Sequence, residues 1–130
     1  MLNPKELEVL QIIANSQSPL ALPDILAQRS NLVKSTVAAA LAKLLKNELI
    51  EVAGIGRSGN VICRTYTSTP LARTLLLENL SNAYLQVSDI ISTSDLCASL
   101  LHTNTDPQKA KEELSRLRAM LDNYEKNLNL

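Results

Sequence analysis

Residues 34–47, KSTVAAALAKLLKN, set out a pattern with chemical use. Val37, Leu41, Leu44 and Leu45 recur at helical spacing and define a core face. The opposite side carries Ser35, Ala39, Ala42 and Lys46, flanked by Thr36 and Lys43, and holds no acid. Ammonium groups and hydroxyls on such a side reach phosphates, and alanines let a helix approach base edges. Ser35 and Thr36, in the first turn, can bond bases or phosphate. Ala39 and Ala42 can touch thymine methyl groups. Lys34 points nearer the core edge but is long enough to swing to a nucleic-acid backbone. A second group, the cations Arg57 and Arg64 with the amide Asn60, surrounds a Gly-containing tip and is placed to reach phosphates or a minor groove. Taken singly these features are ordinary: alanines make good helices and lysines commonly form a solvated face. Their conjunction, in the right order of elements, points to duplex DNA.

Other chemistries lack their residues. There are two cysteines and one histidine. Cys63 and Cys97 form no CxxC pair and read as buried, inert thiols. His102 falls at the end of an expected helix, where it complements the dipole. No zinc-type ligand set, Ser/His/Asp arrangement, P-loop or dinucleotide glycine pattern can be assembled. Glu112 and Glu113 lie on the outer side of an amphipathic helix. The expectation is a non-enzyme without metal or cofactor.

Composition narrows the class. Of 130 residues, 45% are hydrophobic and 20% charged, as in a folded protein. There is no Phe or Trp and only three Tyr, so the core must be aliphatic, which favours helix-on-helix packing. The same lack argues against binders that stack single-stranded bases. Net charge is zero, but no acid lies between Asp24 and Glu48, or between Glu51 and Glu78, where seven cations do. No apolar run is long enough to span a bilayer. The start, MLNPKELEVL, has acids where a signal peptide would be basic and apolar, giving a cytoplasmic expectation.

The elements that must position these residues follow. Asn3-Pro4-Lys5-Glu6 reads as a capping box with first-turn proline, and Leu2 and Leu7 as its hydrophobic staple. The apolar stripe is Leu7, Leu10, Ile13 and Ala14. A second helix opens at Pro23-Asp24 and runs to about Arg29; Ser30-Asn31 supplies a turn and cap for the third, about Leu32 to Asn47. Strand-like Leu49–Gly54 and Val61–Thr67 flank the tip Arg57-Ser58-Gly59-Asn60, a hairpin signature. That is winged helix-turn-helix order. After Pro70 come a helix to about Val87, a short one capped by Ser94 or Asp95, and a last one after Asp106-Pro107. Leu76, Leu80 and Tyr84 line the first of these; Leu114, Leu117 and Leu121 line a coiled-coil-like seam on the last. The fold class is mainly α with a small β-hairpin wing: residues 1–69 a winged-helix DNA-binding domain, 70–130 a helical dimerisation domain. A twofold dimer would present two third helices to successive major-groove turns.

On Glu6-Leu7-Glu8-Val9-Leu10, Pro23-Asp24-Ile25-Leu26, Lys34-Ser35-Thr36-Val37, Leu41-Ala42-Lys43-Leu44-Leu45-Lys46, Arg64-Thr65-Tyr66-Thr67 and Glu113-Leu114-Ser115-Arg116-Leu117, the chain resembles the penicillinase-repressor family of bacterial winged-helix repressors (BlaI, MecI and CopY type). The resemblance spans nearly the whole chain. It implies a homodimeric repressor on palindromic operators, with contacts from Lys34, Ser35, Thr36, Lys43, Lys46, Arg57 and Arg64. The family's Asn-Phe cleavage pair is missing from Cys97-Ala98-Ser99-Leu100-Leu101, and so is the cysteine cluster of its copper sensors. An inducer or a sensor protease therefore stays open as a further partner. The alternative reading is a winged-helix protein-interaction module that does not bind DNA, with the alanine face as its docking surface.

Overall fold

The computed structural model describes residues 1–129, apart from the side chain of Ser58. The element order is α1 (Pro4–Asn15), α2 (Leu22–Gln28), α3 (Lys34–Lys46), β1 (Ile50–Ser58), β2 (Val61–Ser68), α4 (Pro70–Leu85), α5 (Thr93–His102) and α6 (Pro107–Leu128). This is the expected mainly helical chain with one antiparallel hairpin. It divides into two compact units, Met1–Ala83 and Tyr84–Leu130, with the division inside α4.

Local sequence explains how α1 starts. The Asn3 side chain accepts the Glu6 N–H at 2.8 Å, and the Glu6 carboxylate accepts the Asn3 N–H at 2.8 Å, as the capping box requires. The buried face of α1 is Val9, Leu10, Ile12 and Ile13, with Leu7 and Ala14 only half-buried at its margins. The expected stripe was thus rotated slightly from the true one: α1 is packed on more than one side, so Val9 and Ile12 are covered as well.

Two helix starts differ from expectation. Val33, not Ser30 or Asn31, occupies the N-cap of α3 and offers no capping side chain. Asn31 instead directs its amide to the Glu8 carboxylate, 3.4 Å away. Helix α5 is capped by Ser92, whose hydroxyl accepts the Asp95 N–H at 3.0 Å, rather than by Ser94 or Asp95. At α5 several polar residues could cap and the chain path selects Ser92, whereas at α3 the path puts apolar Val33 at the cap. Asp106 caps α6 as expected, accepting the Gln108 N–H at 3.0 Å.

The core of Met1–Ala83 is aliphatic. Val9, Leu10, Ile25, Val37 and Leu44 are wholly covered, joined by Ile12, Ile13, Leu20, Leu32, Ala40, Leu41, Leu49, Ile50 and Ala72. Each large side chain so buried contributes about 1.5–3 kcal/mol. Leu20 pairs with Tyr66 as an isolated bridge, exchanging backbone bonds of 3.0 and 2.8 Å, so the link before α2 anchors the root of the hairpin. Ala72 is buried and Leu75 and Leu76 pack on this core, so the first turns of α4 belong to the N-terminal unit.

The unit Tyr84–Leu130 is different. Neither α5 nor α6 has a buried residue. A cleft of about 490 Å³, lined in part by Leu100, Leu101 and Leu117, opens between the two helices. Tyr84 donates its hydroxyl to the Ile91 carbonyl at 2.8 Å and ties the end of α4 to the turn before α5.

Candidate nucleic-acid interface

Helix α3 is seated by its own sequence. Val37, Ala40, Leu41 and Leu44 are buried on the core side. At its end the Glu48 N–H bonds the Leu45 carbonyl at 3.1 Å and the Leu49 N–H bonds the Leu44 carbonyl at 3.0 Å. That is a Schellman ending, with Glu48 at φ 60° where glycine is usual. It turns the chain sharply, so that buried Leu49 and Ile50 start the hairpin.

The opposite face of α3 is open. Lys34, Ser35, Ala38, Ala39, Ala42, Lys43 and Lys46 are exposed, and Thr36 is half-buried on the flank. Ala38 belongs to this face beside Ala39, whereas Ala40, within the same alanine run, is core. With no side-chain cap at Val33, the first-turn N–H groups keep their capacity for an outside acceptor, and the helix dipole favours an anion there.

One cation on this helix is engaged within the protein. The Lys43 ammonium lies 3.2 Å from the Glu6 carboxylate oxygen that also accepts the Asn3 N–H. Hydrogen bonding from the Asn3 backbone, then the Lys43 charge, holds the Glu6 carboxyl below its ordinary value. Lys43 thus braces α3 against the start of α1, and a phosphate would have to compete for it. Glu6 was legible in sequence as a capping residue, but no local signal ties it to a lysine thirty-seven positions on. Among the described residues, Lys34, Lys46, Arg57 and Arg64 form no ion pair.

The hairpin is longer than its sequence indicated. Strand β1 runs past Gly54 to Ser58, with a bulge between Val52 and Gly54 that resets the alternation. Gly59 takes the positive φ of 62° that a two-residue connection needs, leaving Asn60 exposed beside it. Gly56 lies so close to Thr65 that a Cβ would meet its methyl group at 2.8 Å. Arg57 pairs with Ile62 and Arg64 with Ile55, so both arginines project from one face of the hairpin.

The residues expected at a dimer interface fall into two groups. Leu76 is half-buried on its own N-terminal core, and Tyr84 is half-buried beside Ile91. Leu80 is 68% exposed, Leu114 40% and Leu121 56%, with Leu117 intermediate. The thiols depart from expectation: Cys97 is exposed and Cys63 half-buried. Helix α5 buries nothing within this chain, so its apolar company gives Cys97 no cover.

No protein-family model and no curated protein matches the sequence. Solved structures match its shape. The multiple antibiotic-resistance repressor (MarR) of Listeria monocytogenes superposes with a TM-score of 0.51 at 18% identity, over 96% of this chain and 75% of that one. BpsR of Bordetella bronchiseptica, whose DNA binding is regulated by 6-hydroxynicotinic acid, gives 0.50 at 18% identity, over 93% and 76%. A PadR-family transcription regulator of Clostridium difficile gives 0.50 at 16% identity, over 68% and 94%. The fold is a winged helix. In its terms α3 is the second helix of the helix-turn-helix and β1–β2 the wing. These likenesses establish the winged-helix fold and give no support to the narrower penicillinase-repressor assignment.

Proposed function

We propose that this chain is a homodimeric transcriptional regulator, a repressor, that binds palindromic duplex DNA in the cytoplasm and is not an enzyme. Residues 1–69 bind the DNA, with α3 in the major groove and the wing beside it; residues 70–130 hold the dimer. One observation carries the reading: the open face of α3 is cationic and hydroxylated at its ends, alanine-smooth at its middle, and free of acid. Lys34, Ser35 and the uncapped first-turn amides bind phosphate. Lys46 binds phosphate at the other end. Ala38, Ala39 and Ala42 allow close approach to base edges.

The dimer follows from α6. Its 22 residues, about 33 Å of helix, carry Leu114, Leu117, Leu121, Tyr124 and Leu128 along one seam with none buried. A contiguous apolar stripe of that length marks an interface. Among the partners left open by the sequence, a small-molecule inducer has a place to bind: a groove of about 510 Å³ in the N-terminal unit, lined by Leu7, Gln11, Asn15, Arg29 and Leu80 among others. A sensor protease has no comparable support. The penicillinase-repressor resemblance remains the narrower form of this reading, resting on the sequence motifs alone.

The test is selection of duplexes from a random pool by the purified protein at low and moderate salt. Enrichment of a palindrome, with half-site centres about 34–36 Å or a multiple apart, is the expected result. Retention without enrichment would reduce α3 to a backbone contact. No retention at low salt would favour the protein-interaction module, with the alanine face as its docking surface.

A further inference from the structure

Helix α6 is apolar along one stripe, and no residue of it is buried within the chain. With Leu114, Leu121 and Leu128 at heptad position a, position d holds Ala110, Leu117 and Tyr124. The outer positions b, c and f are polar throughout except for Ala119. The two flanks of the stripe are sorted by sign over the first half of the helix. Position e holds Lys111 and Arg118, then Glu125; position g holds Asp106 and Glu113, then Met120 and Asn127. Among the described residues none of these charges has an ion-pair partner in its own chain. Asp106 spends one carboxylate oxygen on the Gln108 N–H at 3.0 Å and keeps the other.

We propose that α6 pairs with α6 of a second copy as a parallel, in-register coiled coil, its direction chosen by Glu113 and Arg118. The inference rests on the dimer reading above and deepens it by naming the pairing element, its direction and its register. Charge complementarity selects the occupant: a stripe with one basic and one acidic flank is complementary to itself. In a parallel pair each g side chain meets the partner's e side chain five residues on. Glu113 then faces Arg118 of the partner subunit, and Asp106 faces Lys111 of the partner subunit, each twice by the twofold symmetry. Met120 faces Glu125 of the partner subunit, and no like charges meet. In an antiparallel pair of full overlap, e faces e and g faces g. Leu114 then layers with Tyr124 of the partner subunit, about a centre at Ala119. Lys111 still meets Glu125 of the partner subunit, but Arg118 meets its own copy and Glu113 meets only Asn127 of the partner subunit. Both directions bury the same leucines. Each exposed ion pair is weak by itself, so it is the difference between the two sets that fixes the direction.

The experiment uses the full chain with Cys63→Ser and Cys97→Ser, carrying either Leu114→Cys or Leu128→Cys. In the parallel pair both positions meet their own copies, and mild oxidation is expected to give covalent dimer at each. In the antiparallel pair position 114 lies roughly 15 Å from its copy and position 128 roughly 27 Å, at 1.5 Å per residue. A disulfide spans only about 7 Å between Cα atoms. Charge variants give a second readout. Glu113→Lys and Arg118→Glu are each expected to raise the dimer dissociation constant about tenfold in sedimentation at low salt. The double variant returns it to within about twofold of the native value, a rescue that must come from the partner because residues five apart do not face each other on one helix. A native dimer with no cross-link at positions 114 and 128, or a double variant as weak as the single ones, overturns the inference and leaves the dimer standing. A native chain that stays monomeric over the whole concentration series removes the dimer reading, and this inference with it.

Discussion

In Met1–Ala83 the residues Val9, Leu10, Ile25, Val37 and Leu44 are completely covered, while in Tyr84–Leu130 Ile90 is 85% exposed and Leu100, Leu121 and Leu128 are each more than half exposed. Both regions draw on the same aliphatic residues. The difference lies in geometry. Three short helices and the base of a hairpin enclose a volume, so the apolar face of each helix is covered by its neighbours. Helices α5 and α6 leave an open cleft between them and bury no residue. Aliphatic surface of that extent contributes stability only when something removes it from water. The N-terminal unit therefore has a sealed core, and the C-terminal unit leaves its aliphatic surface open, as the proposed dimer requires.

The largest effect that would sharpen this contrast is in the sealed core. Leu44→Ala removes a wholly buried side chain where α3 meets the other elements and is expected to destabilise by about 2–5 kcal/mol in chemical denaturation. The same kind of change on the open side should behave differently. Leu121→Asp, at a position 56% exposed in the single chain, should leave the N-terminal unit's unfolding intact but cost the dimer about 1–3 kcal/mol or more. Sedimentation over a concentration series should show monomer for the variant and dimer for the native chain. A native-like dimer in Leu121→Asp would place the seam elsewhere and break the contrast.

How much of this was legible depended on how local each cause was. The capping box of Asn3 and Glu6, the Asp106-Pro107 start and the Gly59 turn are decided within four residues, and the sequence shows them directly. Element order, and with it the winged helix, followed from periodicity. The α3 cap is not legible locally, because Ser30 and Asn31 are the better capping residues and only the packed chain path selects Val33. The stretch of β1 beyond Gly54 is not legible in sequence because a bulge and two glycines obscure its alternation. In the candidate site, the open alanine face was readable from the helical wheel, but the Glu6 brace on Lys43 and the shared face of Arg57 and Arg64 are long-range facts.

That brace separates two lysines that look alike in sequence. Lys46 is exposed and makes no ion pair among the described residues; Lys43 is held by Glu6. Lys46→Ala should lower the salt slope of DNA binding by about 0.9, one phosphate contact, while Lys43→Ala should change it by much less. Equal losses would show that Lys43 leaves Glu6 for the DNA. The carboxylate also gives the fold an acid-sensitive point. The Glu6 carboxyl titrates lower when folded than when unfolded, so its stabilising share is full above the unfolded value and is lost as pH falls through the folded one. Glu6→Gln should therefore flatten the acid limb of the stability profile.

The smallest expected effect tests the joint between α3 and the wing. Glu48 has φ 60° and lies at the position after the α3 cap, where the left-handed backbone crowds a Cβ against a carbonyl oxygen. The conformation persists because its neighbours over-determine it: Leu49 and Ile50 are buried just beyond, and the Thr69 hydroxyl donates to the Glu48 carbonyl at 2.7 Å. Glu48→Gly keeps those backbone partners and relieves the crowding, against some added freedom in the unfolded chain. The balance should be a gain of about 0.5–1 kcal/mol, read as a higher denaturation midpoint with an unchanged slope. DNA affinity should stay as it is, since Glu48 is an acid beyond the end of the α3 face and its backbone path is unaltered. A gain in affinity larger than the loss of one distant negative charge allows would mean that the joint flexes on binding, and that the wing angle is set by the DNA and not by the Schellman turn.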